Sequence, residues 1–227
     1  MKTWQKWLIA GVVAATVGAT AGPYIYIHFI EGKAPAPLTV QTTTPTSTGT
    51  ASSGPVDGTW SLASGSIVGY RVKEVLFGQS NEAVGRTGSI TGSATIDGTT
   101  VQRASFTADL TTVSSDQDRR DRQFQGRIMN TASFPTATFK LTQPIELGSL
   151  PADGVTSTAT AVGDLTLHGK TRRVTVKLTG ARTGNAIHVS GSIPIVFAEW
   201  DIPNPSFGPV STEDNGSLEF LLKLSHD

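Results

Sequence analysis

Apolar and polar residues alternate with a period of two through much of residues 58–227, and this pattern constrains the fold more than any other feature. In residues 90–96, isoleucine and small residues alternate with serine and threonine. A second run places Ala104, Phe106, Ala108 and Leu110 at every second position. Asp97-Gly98 between the two runs is typical of a tight turn. Because successive side chains of a β-strand point to opposite faces, the two runs predict an antiparallel hairpin with one apolar face.

The same alternation recurs at residues 165–178, 187–195 and 218–224, and the first of these is interrupted by a His168-Gly169-Lys170 turn. Residues 60–77 and 136–146 read as further strands. Only 16% of the chain is charged, whereas glycine numbers 24, a composition that favours short strands and tight turns over amphipathic helices. About eight strands at this spacing predict a mostly β domain, built as an antiparallel barrel or a sandwich.

One stretch interrupts the strand pattern and reads as a short helical insertion. Residues 114–128, SSDQDRRDRQFQGRI, begin with serine, which favours the N-cap position, and continue with Asp116 and Asp118 in the first turn. Arginines follow, and Gly126 is placed to end the helix. Because acidic residues at the start of a helix and basic residues toward its end suit the helix dipole, the sequence predicts one helix between two strands.

The N-terminal part of the chain has a different character. Residues 7–30 contain no Asp, Glu, Lys or Arg, and as a helix they are long enough to cross a hydrocarbon layer of about 30 Å. Lys2 and Lys6 precede them. The positive-inside rule therefore predicts a single-pass cell-membrane protein, with residues 1–6 in the cytoplasm, a transmembrane helix at residues 7–30 and the rest of the chain extracytoplasmic.

A cleaved signal peptide is the alternative for this segment, with Ala19-Thr20-Ala21 as the small-residue cleavage site. The chain stays apolar through residues 22–30, beyond that site, which favours an anchor that remains attached. Residues 31–57 are rich in Pro, Thr, Ser and Gly and have almost no large apolar side chain. Since such a composition cannot bury enough surface to order itself, it predicts a disordered linker ahead of a folded domain at residues 58–227.

Composition and motifs exclude several classes of function. Lys plus Arg and Asp plus Glu both number 18, so no global field attracts nucleic acid. The chain has no Cys, and its four His lack the His-x-His and HExxH spacings of metal sites. The sequence also lacks a Gly-x-Ser-x-Gly elbow, a GxGxxG fingerprint and a P-loop. It therefore predicts no metal and no cofactor.

The inserted helix holds the strongest catalytic candidate. Asp118 and Asp121 are three residues apart and share one helical face, where a carboxylate pair could serve acid and base chemistry. Arginines surround the two aspartates. Because interleaved opposite charges keep carboxylates ionised, the pattern favours a solvated, ion-paired helix surface, and we expect a protein that is not an enzyme.

Several motifs together resemble the YceI-like family, in the family's order and at about its spacing. The chain carries RRDRQFQGRIMNTASFPTATFKL, then VGDLTLHGKTRRVTVKLTG, then FAEWDIPNPSFG and GSLEFLLKL. The most specific pieces are the Arg-Asp near the helix end, the Phe-Pro-x-Ala-x-Phe stretch that begins at Phe134, and the Leu-Thr-Leu-His-Gly turn that begins at Leu165. The resemblance covers residues 58–225 and does not reach the anchor or the linker.

The resemblance implies a lipocalin-like antiparallel β-barrel, extracytoplasmic in bacteria, which holds a polyisoprenoid or similar long-chain lipid in an apolar interior. A long-chain isoprenoid lipid or quinone is the implied partner, and the membrane is a second partner through the predicted helix. Whether two barrels pair as a homodimer is left open. Gln123 stands where the family pattern has a histidine after Arg120-Asp121, so the resemblance does not fix the identity of the lipid.

One face of each barrel strand must point inward, and the sequence predicts an apolar lining of twelve residues. They are Phe106, Leu110, Phe139, Leu141, Leu165, Leu167, Val174, Val176, Ile193, Ile195, Phe220 and Leu222. Trp200 and Phe207 are predicted at the mouth of the barrel. Arg120, Asp121 and Gln123, the matched family positions, are candidates for contact with a polar head group, and ion pairing on the helix surface is the alternative for them.

Two other functions are open to this sequence. A barrel filled by its own side chains would be a structural or protein-interaction module of the cell envelope, with a dry core and an apolar patch outside. An enzyme acting on an isoprenoid head group would bring Asp118 and Asp121 to the pocket and raise the pKa of one of them. A lipid carrier predicts instead a continuous apolar cavity free of such a carboxylate pair.

Overall fold

The computed structural model describes residues 4, 34–40, 56–76, 78–148, 153–208 and 210–226. The predicted transmembrane helix at residues 7–30 and most of the predicted cytoplasmic tip lie outside the described residues. Within the part of the chain that is described, no helix is both long enough and apolar enough to cross a membrane.

The strands of the described chain join in one twelve-stranded sheet. Their bounds are β1 Gly58–Leu62, β2 Ile67–Leu76, β3 Gln79–Thr87, β4 Ile90–Asp97, β5 Thr100–Asp109, β6 Thr136–Leu141, β7 Ile145–Glu146, β8 Thr156–Leu167, β9 Lys170–Thr183, β10 Ala186–Val196, β11 Val210–Thr212 and β12 Asn215–His226.

Eight of these strands close into a barrel. The order β1-β4-β5-β6-β8-β9-β10-β12 returns to its start because β12 pairs with β1 as well as with β10. Every pairing around this ring is antiparallel. Closure removes the exposed edges that an open sheet would present. The structure thus confirms the predicted antiparallel barrel of about eight strands and excludes the sandwich.

A hairpin of β2 and β3 extends the wall beside β12. The first half of β2 pairs with β12, and all of β2 after Ile67 pairs with β3. The predicted single strand at residues 60–77 is therefore two strands, because the chain bends at residues 63–66. The buried hydroxyl of Ser66 holds this bend, since it donates to Ala63 O at 2.9 Å and accepts from Lys223 N at 3.0 Å.

Both predicted hairpins are present, and their turns are two residues long. Asp97 pairs with Thr100, so the first turn is Gly98-Thr99, one residue later than the sequence suggested. His168-Gly169 forms the second turn, with φ angles of 50° and 75°. Left-handed residues in such turns match the right-handed twist of the flanking strands.

The insertion between β5 and β6 is helical but shorter than predicted. Helix α1 spans Asp118–Gln123 and continues as one π-helical turn at Phe124–Ile128, which contains the glycine expected to end the helix. Gln117 takes the N-cap position in place of serine and makes no side-chain cap bond. The buried ring of Phe124 stacks on Tyr70 of β2 at a centroid distance of 5.0 Å, so the insertion covers one end of the barrel.

Two clusters of buried apolar side chains lie toward opposite ends of the barrel. The larger cluster includes Phe124, Leu165 and Trp200. The smaller cluster is centred on Trp60, which packs with Ile96 and Leu224. Because β1 pairs with the last residues of β12, far from α1, Trp60 closes the end of the barrel opposite the helix.

Residues 34–40, here named the strap, are, together with residues 56–57, the part of the predicted linker at residues 31–57 that the structure describes, whereas residues 31–33 and 41–55 lie outside the described residues. The strap lies on the outside of the barrel, where Arg71 Nη2 donates to Pro35 O at 2.7 Å and Val40 N donates to Ser190 Oγ at 3.2 Å. Polar side chains of the barrel thus bind this segment through its backbone.

Candidate functional site

Two apolar cavities occupy the interior of the barrel. The first cavity, of about 380 Å³, lies below α1, and the second, of about 220 Å³, extends toward the end closed by Trp60. Four residues line both cavities and therefore lie between them, at a level here named the waist: Val68, Ala108, Ala137 and Leu218. The first cavity alone falls within the usual range of small-molecule sites.

Most of the predicted lining residues border these cavities. The first cavity is lined by Leu110, Leu167 and Ile195. The second is lined by Phe106, Phe139, Leu141, Leu165, Val176, Ile193, Phe220 and Leu222. Val174 lies outside both linings and packs against the larger core cluster. Val174 shares the inward face of β9 with Val176, so the period-two pattern agrees with the inward face of the strands, and contact of these residues with a ligand stays a prediction.

Three glycines make room for the aromatic rings of the second cavity at its wall. A Cβ atom added to Gly163 would lie 2.3 Å from Phe139 Cζ, and one added to Gly191 would lie 2.6 Å from Phe220 Cζ. Gly92 is in the same relation to Phe106. Each ring thus fills space that a side chain on the neighbouring strand would otherwise take, which leaves the middle of the barrel open.

Replacing Gly191 with alanine is expected to push the Phe220 ring into the second cavity. We expect the free energy of unfolding to fall by about 1–3 kcal/mol, the usual cost of overpacking, together with weaker binding of long apolar ligands. The matched control is Gly180→Ala, because a Cβ atom there meets no atom closer than 3.6 Å. Denaturant unfolding of both variants checks the prediction, and equal stability of the two would contradict it.

Polar side chains are concentrated in the first cavity, at the end of β2. The carboxylate of Glu74, 8% exposed, accepts hydrogen bonds from Arg120 Nη2 at 3.2 Å and from Asn81 Nδ2 at 3.0 Å. Arg120 also pairs with Asp116, one helical turn earlier. Since each charge of a buried pair is satisfied by its partner, this polar end offers hydrogen-bonding groups with little net charge.

Tyr70 lies beside this pair and also lines the first cavity. Burial raises the pKa of the Tyr70 hydroxyl well above 10; the charge of Arg120 opposes the shift, and the charges of Asp121 and Glu74 add to it. The hydroxyl therefore stays protonated near neutral pH and can donate a hydrogen bond to a ligand in the cavity.

The raised pKa of Tyr70 predicts a loss of stability at high pH. In the unfolded chain this hydroxyl releases its proton near pH 10, whereas the folded protein retains it. Stability from Tyr70 is therefore fully present below pH 10 and decreases as the pH rises above that value. The other tyrosines, Tyr24 and Tyr26, precede residue 34. Ultraviolet titration of a chain beginning at residue 34 therefore reports Tyr70 alone, and tyrosinate formation near pH 10 without unfolding would contradict the prediction.

The mouth of the first cavity is formed by Arg119, Gln123 and Phe207, which belong to α1 and to the loop after Trp200. Phe207 lines the cavity and is still 51% exposed, and the guanidinium carbon of Arg119 lies 5.3 Å from its ring centre. Arg127 holds the loop in place through hydrogen bonds to Asn204 O and Pro205 O at 3.2 and 2.9 Å. Phe207, Gln123 and Arg120 therefore all line the first cavity, and their contact with a ligand or its head group stays a prediction.

Two other candidates lie elsewhere. Trp200 is not at the mouth, because a short 3₁₀ turn at Phe197–Trp200 directs it into the larger core cluster, where it is 2% exposed. Asp121 is not among the lining residues of either cavity. Its carboxylate accepts hydrogen bonds from the backbone and hydroxyl of Ser115 at 2.8 and 2.6 Å, which fixes the loop before α1.

Glu74, Tyr70 and Asn81 are the residues that sequence reasoning missed. A signal for the first two was present, because Tyr70, Val72 and Glu74 share the inward face of β2 and a carboxylate at such a position is rarely left unpaired. Its partner Arg120 lies 46 residues away in the chain, and this pairing could not be derived from local pattern.

Comparison with protein families matches residues 60–224 to the YceI-like domain. A polyisoprenoid-binding domain from Saccharophagus degradans, implicated in plant cell wall breakdown, has 17% identity and a TM-score of 0.60, with 75% of this chain and 99% of that chain covered. Burkholderia cenocepacia BcnA has 22% identity and a TM-score of 0.51, with 68% and 95% covered. These likenesses show a shared fold. The comparison with curated proteins gave no match.

Proposed function

This chain belongs to the YceI-like domain family, and from that premise we propose that it binds one long-chain isoprenoid lipid inside its barrel. The observation that carries the proposal is the pair of apolar cavities that share lining residues at the waist, the second inside the closed ring of strands and the first between this ring, the β2–β3 hairpin and α1. The structural likeness to a polyisoprenoid-binding domain supports it. We infer binding without catalysis, since neither Asp118 nor Asp121 lines a cavity.

The lipid tail is proposed to pass the waist into the second cavity, with the head group in the first. Each methylene removed from water contributes about 0.8 kcal/mol before ordering costs, so the length of the buried tail sets the affinity. Phe106, Phe139 and Phe220 line the second cavity and would contact the end of the tail farthest from the head group.

The head group is proposed to lie near Gln123, Tyr70 and the Arg120–Glu74 pair. Because that guanidinium is already paired with two carboxylates, it offers little attraction to a diphosphate. A neutral head with a carbonyl or hydroxyl oxygen suits the protonated Tyr70 and the amide of Gln123. An isoprenoid alcohol or a quinone is therefore the ligand class we propose.

The predicted helix at residues 7–30 is proposed to tether the barrel to the outer face of the cell membrane. The apolar length of this segment and the preceding lysines support this placement. Tethering would keep a binding protein close to the bilayer in which isoprenoid lipids are dissolved.

Competition among lipids of equal tail length tests the proposed ligand class. A chain beginning at residue 34 keeps the strap and all strands of the closed ring. We expect a polyprenol and a prenylated quinone to displace a fluorescent fatty probe, and the polyprenyl diphosphate to bind at least tenfold more weakly. Tyr70→Phe is expected to weaken the binding of the two neutral lipids. Asp118→Asn, on the exposed helix surface, is expected to leave their affinities unchanged. Preference for the diphosphate would contradict the proposed head-group site.

A further inference from the structure

The outer face of the barrel carries a patch that is buried although its side chains point away from the interior. Val84, Ser190 and Glu219 are each only 5% exposed, and none of them lines a cavity. Arg71 lies among them; it pairs with Glu219 through Nε and with Glu82 through Nη1 at 2.6 Å. These pairs fix the direction of the guanidinium group, so one of its N–H groups remains directed outward.

The strap lies on this patch and is bound at both of its ends. At its start, Arg71 Nη2 donates to Pro35 O and Arg86 Nη2 donates to Ala36 O. At its end, Val40 N donates to Ser190 Oγ. Two prolines restrict the backbone of the segment to extended conformations. The strap is therefore a defined element with a direction, in contrast to a flexible spacer.

The direction of the strap follows from the register of the strands below it. Arg71, at the start of the strap, pairs with Ser217 of β12. Ser190, at its end, pairs with Leu221 of the same strand. Along β12, Leu221 lies closer to the end closed by Trp60 and Ser217 lies closer to the mouth. The N-terminal end of the strap therefore points toward the mouth.

Chain length limits where an anchor at residues 7–30 can lie. Residue 30 is five residues before Pro35, a reach of about 17 Å for an extended chain. From Arg71 to the end of β2 at the mouth is also about 17 Å at 3.3 Å per residue. From Ser217 to the far end of β12 is about 30 Å by the same rise. The outer end of the anchor can thus reach the rim of the mouth but not the opposite end of the barrel.

Exposed apolar side chains independently mark the same end. Val75, Val196 and Phe207 are 42%, 45% and 51% exposed. Val75 is next to the last residue of β2, Val196 ends β10, and Phe207 is at the mouth. At the other end of the described barrel, one large apolar side chain, Val155, is exposed to a similar extent. An apolar rim of this kind suits contact with a lipid surface.

We propose that the strap orients the barrel so that its mouth faces the lipid bilayer and a lipid enters the cavity from the membrane without crossing water. The inference rests on the proposed function and on the predicted anchor. Beyond lipid binding, it assigns the mouth as the surface through which the lipid enters and the strap as the segment that orients the mouth.

Fluorescence quenching of the full chain in lipid vesicles tests this orientation. The protein has no native cysteine, so a single fluorophore can be placed at Ser211→Cys, paired with Val75 near the mouth, or at Thr99→Cys in the turn at the opposite end. The vesicles contain phosphatidylethanolamine, phosphatidylglycerol and a lipid with a quencher on its head group. We expect several-fold stronger quenching at position 211 than at position 99.

Removal of barrel side chains that bind the backbone of the strap, by Arg86→Gln together with Ser190→Ala, should reduce this difference. Gly/Ser replacement of residues 42–48 should preserve it as the control. Equal quenching at both positions in the unchanged chain, stronger quenching at position 99, or no quenching at either would overturn the proposal. A difference that is unchanged in the Arg86→Gln, Ser190→Ala variant would overturn the role of the strap. Lipid binding by the chain beginning at residue 34 is measured separately. Binding without a quenching difference would overturn the orientation alone, whereas absence of binding would overturn the proposed function.

Discussion

Replacing Ala108 with phenylalanine is expected to abolish binding of long-tailed lipids and to leave the barrel folded. Ala108 faces Ala137 across the β5–β6 pairing at the waist, and both residues line both cavities. A ring at this position would fill the waist and block the proposed path of the tail from the first cavity to the second. Excluding even four methylenes from the second cavity would cost about 3 kcal/mol of binding free energy, more than a hundredfold in affinity.

Affinities for a short and a long isoprenoid alcohol, such as farnesol and solanesol, provide the measurement. We expect the Ala108→Phe variant to lose its affinity for the long alcohol. It should retain most of its affinity for the short alcohol, which fits in the first cavity. Ala132→Phe is the matched control, because Ala132 is exposed. Circular dichroism establishes that both variants are folded. Unchanged affinity of the Ala108→Phe variant for the long alcohol would show that the tail does not pass the waist.

Replacing Trp60 with alanine is expected to lower the free energy of unfolding by about 3–5 kcal/mol, the usual cost of removing a large buried aromatic side chain. Trp60 is fully buried, donates to Val56 O at 2.8 Å and meets the ring of His226 edge to face at 5.1 Å. Its removal would leave an opening at the closed end of the barrel. Neither cavity has Trp60 in its lining, so the effect on stability should exceed the effect on binding.

Urea unfolding followed by circular dichroism measures the change. Val155→Ala serves as the control, because Val155 is exposed and its truncation should alter stability by no more than about 0.5 kcal/mol. Destabilisation of the Trp60→Ala variant by less than about 1 kcal/mol would contradict the closure of this end of the barrel by Trp60.

Much of the barrel could be predicted from the sequence because most strands carry a strong local signal. The hairpins of β4 with β5 and of β8 with β9 alternate clearly and have recognisable turns. β3 was missed, since its inward positions Ala83, Gly85 and Thr87 are small or polar and give no apolar alternation. Gly85 is small because the Tyr70 ring occupies its side-chain space, 2.3 Å from a Cβ atom placed there, and this contact belongs to tertiary structure.

The candidate site was predictable only for its apolar part. Inward-facing residues follow from strand periodicity, whereas the polar end depends on pairs distant in sequence, such as Glu74 with Arg120. The contacts of the strap could not be predicted for the same reason. Its composition indicates no order, and it is held by Arg71 and Arg86, which lie 36 and 50 residues away from their acceptors. The periodicity and composition of a short segment give no information about contacts with residues so distant in the sequence.

The most direct test of the account is native mass spectrometry of a chain beginning at residue 34, purified from a bacterial host without detergent and then extracted under denaturing conditions. We predict that each chain carries one isoprenoid alcohol or quinone, and that the Ala108→Phe variant, purified in the same way, carries none. A chain that carries no lipid, even after exposure to a membrane lipid extract, would contradict the account.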